Sequence, residues 1–389
     1  MSSMIDNAPV DPKDKIRISR LEYFVLNNRR FFLKIHTDAG IVGQGEPITE
    51  GRAKTCAEVV REIEPYLIGK DPRKVTHHWQ AIYRHAFYRG GPILTSALSG
   101  IDQALWDIKG RALGVPIYEL LGGPTRDQIR VYAGGGSPEA MKEKVKEGFN
   151  AFKTGPHKDR PARNIETQGA VHRIAEHFAA QRDAVGPDVD IAIDFHGAIE
   201  PPTAMLLVKA LEPYQPFFIE EPVQCQNVDV MVDIANKTHI PIATGERIFT
   251  KWGFREILEK GAAKVLQPDL CHAGGITECR LIAGMAEAYY THMAWHNPLG
   301  PISLAAGVQT AAAIPNFLIQ EGAGVLRPGE GILKEPFVVE NGFLQLPTGP
   351  GLGVELDDDY LDNEMCKGDK TSGANAESYS DDDGAVVDW

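Results

Sequence analysis

Apolar and polar positions in the first 46 residues alternate with a period of two through three short runs, IRISRLEYFVL, RRFFLKIHT and IVGQGEP. LNNR and TDAG, rich in turn-forming residues, separate them, so the stretch from about 15 to 46 predicts an antiparallel meander. The period then lengthens. AEVVREIEPYLIG, VTHHWQAIYRHAF and ALSGIDQALWDIKGRALG repeat apolar residues at i, i+3 and i+4 and predict three helices, the last stopping at Gly114 before Pro116. From about 129 the two periods take turns. VYAGG, AFKTG, VDIAIDF, FFIEEP, PIATGE, KVLQPDL, HMAWHN and FLIQEG read as strands, with helical segments such as EAMKEKVKEGF, PPTAMLLVKALEPY, FREILEKG and CRLIAGMAEAYY between them.

Eight such strands predict an α/β fold, a TIM-type (β/α)7β barrel, capped by an α+β module. An open doubly wound sheet is the lesser alternative, because no GxGxxG follows the first strand of the alternating region. The expected division is a cap over 1–125, a barrel over 126–323, and a segment over 324–389 that returns to the cap. That last segment begins β-rich and finishes in a polar, acidic tail, KGDKTSGANAESYSDDDGAVVDW.

A chain of 389 residues has room for a barrel of roughly 250 residues and a second module. Its net charge of −13, with no basic patch, argues against nucleic acid as a partner. The opening MSSMIDNAPVDPKDK lacks an apolar export segment, and no run of about 18 apolar residues occurs, so a cytoplasmic protein without a membrane partner is expected. The five cysteines, Cys56, Cys225, Cys271, Cys279 and Cys366, are odd in number and form no CxxC, as suits reduced thiols.

The chemistry lies in acidic residues that keep step with the strands. Asp194, Glu220 and Glu246 fall 26 residues apart, each closing an apolar run. One β/α unit has about that length, so all three carboxylates should meet at one end of the barrel, where hard oxygen ligands describe a Mg²⁺ site. A single carboxylate after a strand is usually a helix cap or a solvated group. The step continues, however, through Asp269, His296 and Glu321. His296 precedes Asn-Pro-Leu-Gly and so stands where strand gives way to loop, the place for a base; Asp269 on the neighbouring strand can fix its tautomer. His292, earlier on the same strand, is expected to be a core residue. Period-two alternation would point His196 the same way as Asp194.

These residues, with YRGGPILTSALSGIDQALWDIKGRALG, IDFHG, FIEEPV, GER, QPDL, HAGGITE and NPLGPISLAA, resemble the mandelate racemase subgroup of the enolase superfamily, and within it the D-galactonate dehydratases. The likeness runs from about 17 to 357. It implies Mg²⁺ held by Asp194, Glu220 and Glu246, with the metal binding the substrate carboxylate. It further implies His296 as base with Asp269, His196 as the acid for a departing 3-hydroxyl, Glu321 as a protonated carboxyl against the substrate carboxylate, and Lys153 as a substrate contact. Gly155 stands where the subgroup's racemases carry a second lysine, which favours one-base elimination over racemisation. Trp295 replaces a smaller residue and is expected to reshape the pocket. Substrate stereochemistry would be read by loops at 26–30 and 47–53 folding over the barrel mouth, with 157–165 unconstrained. The implied partner is an acid sugar, most readily galactonate, alternatively gluconate, mannonate or arabinonate. A silent structural protein on the same scaffold is the reading from another class, and a homo-oligomer is the expected assembly.

Overall fold

A computed structural model describes residues 9–11, 13–27, 30–156, 168–322, 331–365 and 384–386. The 157–165 loop, part of the 26–30 loop, Cys366 and most of the acidic tail lie outside the described residues. The alternating first stretch forms strands β1 (Ile18–Val25), β2 (Phe31–Thr37) and β3 (Val42–Gly45), paired antiparallel in sequence order. Helices α1 (Ala53–Leu67), α2 (Val75–His85) and α3 (Pro92–Leu113) pack beside them. α3 begins five residues ahead of the predicted stretch, with Pro92 in its first turn, where a missing N–H costs nothing. Most of α3 is buried, including Ser96, Ser99, Asp102, Gln103 and Asp107, so its polar side chains must find partners on both flanks.

After the short α4 (Ile117–Leu120) and β4 (Gln128–Arg130), strand and helix alternate. The order is β5 (Ala133–Gly134), α5 (Pro138–Lys146), β6 (Ala151–Thr154), α6 (Gln168–Val185), β7 (Asp190–Asp194), α7 (Pro201–Leu211) and β8 (Ile219–Glu220). It continues with α8 (Val228–Ala235), β9 (Ile242–Thr244), α9 (Thr250–Lys260), β10 (Val265–Leu266), α10 (Gly275–Ala288), β11 (His292–Trp295), α11 (Pro301–Ala312) and β12 (Phe317–Gln320). Eight parallel strands lie in sequence order from β5 to β12. A parallel bridge between Val131 and Gln320, with the Tyr132 N–H donating to the Gln320 carbonyl at 3.3 Å, links the two edges. This is the (β/α)7β architecture: among the described residues seven helices separate the eight strands.

The bore of the barrel has its own small core: Tyr132, Ala151, Ala192, Phe218, Ala243, Val265, Ala294 and Ile319, one residue at each strand. Their neighbours along the strands, among them Phe152, Ile191, Ile193, Ile219, Ile242, Leu266 and Met293, belong to the larger core that also takes in the helices. Alanine at four of the eight inward positions leaves room for Tyr132, Phe218, Val265 and Ile319 to fill the narrow eight-stranded bore.

Past the barrel, β13 (Val339–Glu340) and β14 (Phe343–Gln345) add to β4 as a small antiparallel sheet, and α12 (Asp358–Glu364) follows. This segment touches the meander. Gln44 donates to the Val354 carbonyl at 3.0 Å, Lys34 pairs with Asp358, and Leu26 bridges Met365. Among the described residues no helix is long and apolar enough to cross a membrane, and Cys56, Cys225, Cys271 and Cys279 are free thiols.

Two sequence expectations change here. His292 is exposed at the start of β11 rather than buried in the core, because it shares the inward parity of Ala294 and pairs with Val265 at the N-terminal rim of the bore, where among the described residues no further layer covers it. Trp295 is 1% exposed, but it belongs to the outer core and tilts against Phe317 with ring centroids 6.5 Å apart. Its neighbour Ala294 faces the bore, so strand alternation turns the indole away from the pocket.

Candidate active site

Each inward-facing bore residue predicts what stands above it. Two residues beyond Ala151, Ala192, Phe218, Ala294 and Ile319, on the same face of the strand, come Lys153, Asp194, Glu220, His296 and Glu321; four beyond Val265 comes Asp269. Glu246 is three residues beyond Ala243. The extra residue is Gly245, at φ 151, where an added Cβ would come 2.6 Å from the Gln267 backbone nitrogen. Only glycine lets the chain turn there and bring Glu246 round to the mouth.

The result is a dense cluster. Ligand atoms of Asp194, Glu220 and Glu246 all lie within 4.8 Å of one another. Lys153 Nζ stands 3.3 Å from Asp194 Oδ2, 3.2 Å from Glu220 Oε2 and 2.9 Å from Glu321 Oε1. His296 Nδ1 is 2.8 Å from Asp269 Oδ2, and its Nε2 is 3.0 Å from Glu246 Oε2. Lys153, Asp194, Glu246, His296 and Glu321, with His196, Glu50, Gly134, Gly155 and Pro298, line a cavity of about 280 Å³.

His196 reaches the cluster by a route other than simple strand alternation. β7 ends at Asp194, and His196 has φ 53, so a left-handed turn carries it. Its N–H donates to Asp194 Oδ1 at 2.8 Å, and its Nε2 lies 3.3 Å from Oδ2, with the side chain 38% exposed to the cavity side of the barrel mouth.

Charge decides protonation here. Burial, then repulsion from Asp194, push Glu220 well above the usual carboxylate range. Burial would likewise raise Glu246, but the charge and hydrogen bond of His296 hold it low. Burial would lower His296; Glu246 and Asp269 override it and raise the imidazole well above its ordinary value. Glu321 departs from expectation. Burial alone would favour the neutral acid, yet the Lys153 ammonium beside it, with His296 and the Asn297 N–H at 3.0 Å, pulls it below the ordinary value. Lys153 thus pairs with three carboxylates in this arrangement.

The donor set suits a hard cation. Three carboxylates converge, and Glu220 Oε2 is buried without a hydrogen bond although Lys153 Nζ lies 3.2 Å away. A buried carboxyl oxygen without a hydrogen bond is costly unless a partner completes it, and a cation here would also offset the repulsion that drives Glu220 toward its neutral form.

Residues 137–360 match the family model described as enolase C-terminal domain-like, and 19–122 match the mandelate racemase / muconate lactonizing enzyme N-terminal domain. The chain belongs to the enolase superfamily, in its mandelate racemase subgroup. Curated relatives include the D-galactonate dehydratases of Ralstonia nicotianae and Ralstonia pickettii, each 46% identical over 356 residues, covering 88% of this chain and 93% of theirs. Among solved structures, an enolase from Agrobacterium radiobacter with sodium and L-malate bound superposes with a TM-score of 0.87 at 31% identity, covering 95% of this chain and 99% of that one. An enolase superfamily member from Salmonella Typhimurium does so at 0.84 and 34%, covering 90% and 98%.

Residues that carried no assigned role in the sequence also gather here. Glu50 lines the cavity, Arg247 clamps the buried Glu221, and His272 lies 3.9 Å from Asp269. For His272 a signal existed, since it sits three residues past Asp269 on the turn that ends the strand.

Proposed function

We propose that this hydro-lyase is a Mg²⁺-dependent aldonate dehydratase acting on D-galactonate. The observation that carries the reading is a histidine on either side of one three-carboxylate cavity: His296, backed by Asp269, and His196, on the turn after Asp194. The two relatives named D-galactonate dehydratase support the choice of substrate.

Asp194, Glu220 and Glu246 would hold the ion. A hard divalent cation there supplies several kcal/mol of charge stabilisation to the substrate carboxylate as its α-proton leaves. Glu246 Oε2 lies 3.0 Å from His296 Nε2, and with Glu246 serving as a ligand that nitrogen would be free to take the C2 proton. Asp269 meanwhile accepts the Nδ1–H and stabilises the imidazolium that forms. The electron pair of the C2–H bond moves toward the carboxylate, then returns to form the C2–C3 double bond as the C3–O bond breaks. His196 gives its Nε2 proton to the departing hydroxyl, which leaves as water. The enol at C2 then becomes the ketone, giving a 2-keto-3-deoxy acid.

Lys153 and Glu321 form the opposite wall. A substrate carboxylate arriving between them draws the Lys153 ammonium and adds negative charge beside Glu321. Both changes favour a proton on Glu321, so the acid form follows from binding. Gly155 faces the same cavity, and an added Cβ would meet nothing closer than the Asp194 carbonyl at 3.6 Å, so space alone does not require glycine there. A racemase would need a base on that face. Proton NMR of D-galactonate with enzyme and Mg²⁺ tests the proposal: the keto acid should form alone. Accumulation of the C2 epimer, talonate, at a similar rate would replace elimination with racemisation.

A further inference from the structure

The loop that brings Glu50 to the cavity also carries Thr49, whose Oγ1 lies 2.9 Å from Ser96 Oγ on α3. Ser96 Oγ lies 3.0 Å from His272 Nδ1. His272 Nε2 is 3.9 Å from Asp269 Oδ2, the same oxygen that accepts the His296 Nδ1–H at 2.8 Å. Ser96, His272 and Asp269 are all buried. A file of polar groups therefore runs from the mouth loop of the cap to the base: Thr49, Ser96 and His272 are hydrogen-bonded in turn, His272 faces Asp269 Oδ2 across 3.9 Å as an electrostatic neighbour, and Asp269, whose Oδ1 accepts the Cys271 N–H at 2.6 Å, accepts from His296.

Its proton order follows from chemistry. A bare nitrogen lone pair facing a carboxylate oxygen is repelled, so His272 must carry a proton on Nε2. In the neutral ring Nδ1 is then an acceptor, which Ser96 satisfies with its hydroxyl proton, leaving the Ser96 oxygen to accept from Thr49. The backbone of this segment is secured otherwise. Ser99 Oγ accepts the Gly274 N–H at 3.0 Å, Gln103 donates to the Leu270 carbonyl at 2.9 Å, and Asp102 accepts the Thr277 N–H at 3.0 Å. The Ser96–His272 contact is thus not needed to place the loop; what it orients is the imidazole.

We infer that Thr49, Ser96 and His272 are positioning residues for the base, holding Asp269 Oδ2 in line with His296 Nδ1 and making that alignment depend on the seating of the 47–53 loop. This rests on the reading of Asp269 and His296 given above. Losing the His272 dipole beside Oδ2 leaves Asp269 held by the Cys271 N–H and His296 alone, and a misplacement of about 1 Å at a catalytic group can cost about 10²-fold in rate.

Ser96→Ala, His272→Phe and Thr49→Val, made singly and in pairs, test it. Ser96→Ala and His272→Phe should each lower kcat for dehydration and for C2 deuterium exchange by about tenfold with KM near the wild-type value, since orientation is lost but binding is kept. The pair should be no worse than His272→Phe alone, because both break one chain. Losses that multiply, or that appear in KM or thermal stability only, overturn the inference. ¹⁵N-histidine NMR reads the chain without turnover. Ser96→Ala should change the tautomer signals of His272 and shift those of His296, assigned against His272→Phe and His296→Asn. Unchanged His296 signals overturn it. Wild-type protein that neither dehydrates D-galactonate nor exchanges its C2 hydrogen would instead defeat the functional reading, while the NMR result still decides whether His272 is coupled to His296.

Discussion

The two ends of the same eight strands are built on opposite principles. In the bore, Ala151, Ala192, Ala243 and Ala294 pack with Phe218, Val265, Ile319 and Tyr132 into a dry plug. Two residues further along most of those strands, on the same face, stand Lys153, Asp194, Glu220, His296 and Glu321. The plug gains from burial. The mouth resists it, since buried like charges repel and Glu220 is pushed toward its neutral form. One strand step of roughly 7 Å separates the part that holds the barrel together from the part that does chemistry. The rigidity of the first is what keeps the crowded charges of the second from moving apart.

Breaking the mouth should cost activity without stability. Glu220→Gln is expected to abolish turnover by taking the negative charge from one ligand position, while metal-free protein melts no lower than wild type, because Gln keeps the size and the neutral state toward which burial already drives Glu220. Chelation should mimic it, with activity restored by added Mg²⁺. A melting temperature that falls with activity would mean the carboxylates stabilise the fold, and the contrast fails.

Within the mouth the two histidines should separate. His296→Asn should lower both dehydration and C2 hydrogen exchange by about 10²–10⁴. His196→Asn should lower dehydration by a similar factor and spare exchange. Exchange surviving only in the His296 variant, followed by NMR in deuterated buffer, would reverse the roles.

Breaking the plug should do the converse. Ala192→Leu overpacks the bore and is expected to cost about 1–3 kcal/mol of stability, measured by denaturant unfolding. The bound ion should be retained, as judged by the rise in melting temperature on adding Mg²⁺. A variant as stable as wild type would show that the bore has slack.

The smallest effect concerns the boundary between cap and barrel. Burial raises Asp102 from 3.8 to about 7, where it accepts from Thr277 at the start of α10. A carboxyl raised in the folded state contributes stability below about pH 4 that is lost as pH climbs through 7. Asp102→Asn should therefore flatten the fall of melting temperature between pH 4 and 7. An unchanged slope would assign that pH dependence elsewhere.

Much of this was legible before any coordinates. The interval of 26 residues between Asp194, Glu220 and Glu246 is a property of the β/α unit, and it anticipated that these three carboxylates meet at one end of the barrel. Parity along β11 also contained the orientation of Trp295, because Ala294 and His296 share the inward face and leave the residue between them outside. His292 misled because an apolar run does not reveal where along a strand the packed bore begins.

Local periodicity thus committed the chain to eight strands, seven intervening helices and a ring of chemistry at their ends, since side-chain direction repeats every two or every 3.6 residues whatever lies elsewhere. Charge state and orientation could not be read that way. Glu321 is held as a carboxylate by Lys153, 168 positions away, and Asp269 is approached by His272, which Ser96 of the cap orients from 176 positions away. Coulomb energy and hydrogen bonding depend on distance and burial in three dimensions, so only the folded barrel, with its cap in place, decides which groups keep their protons and where they point.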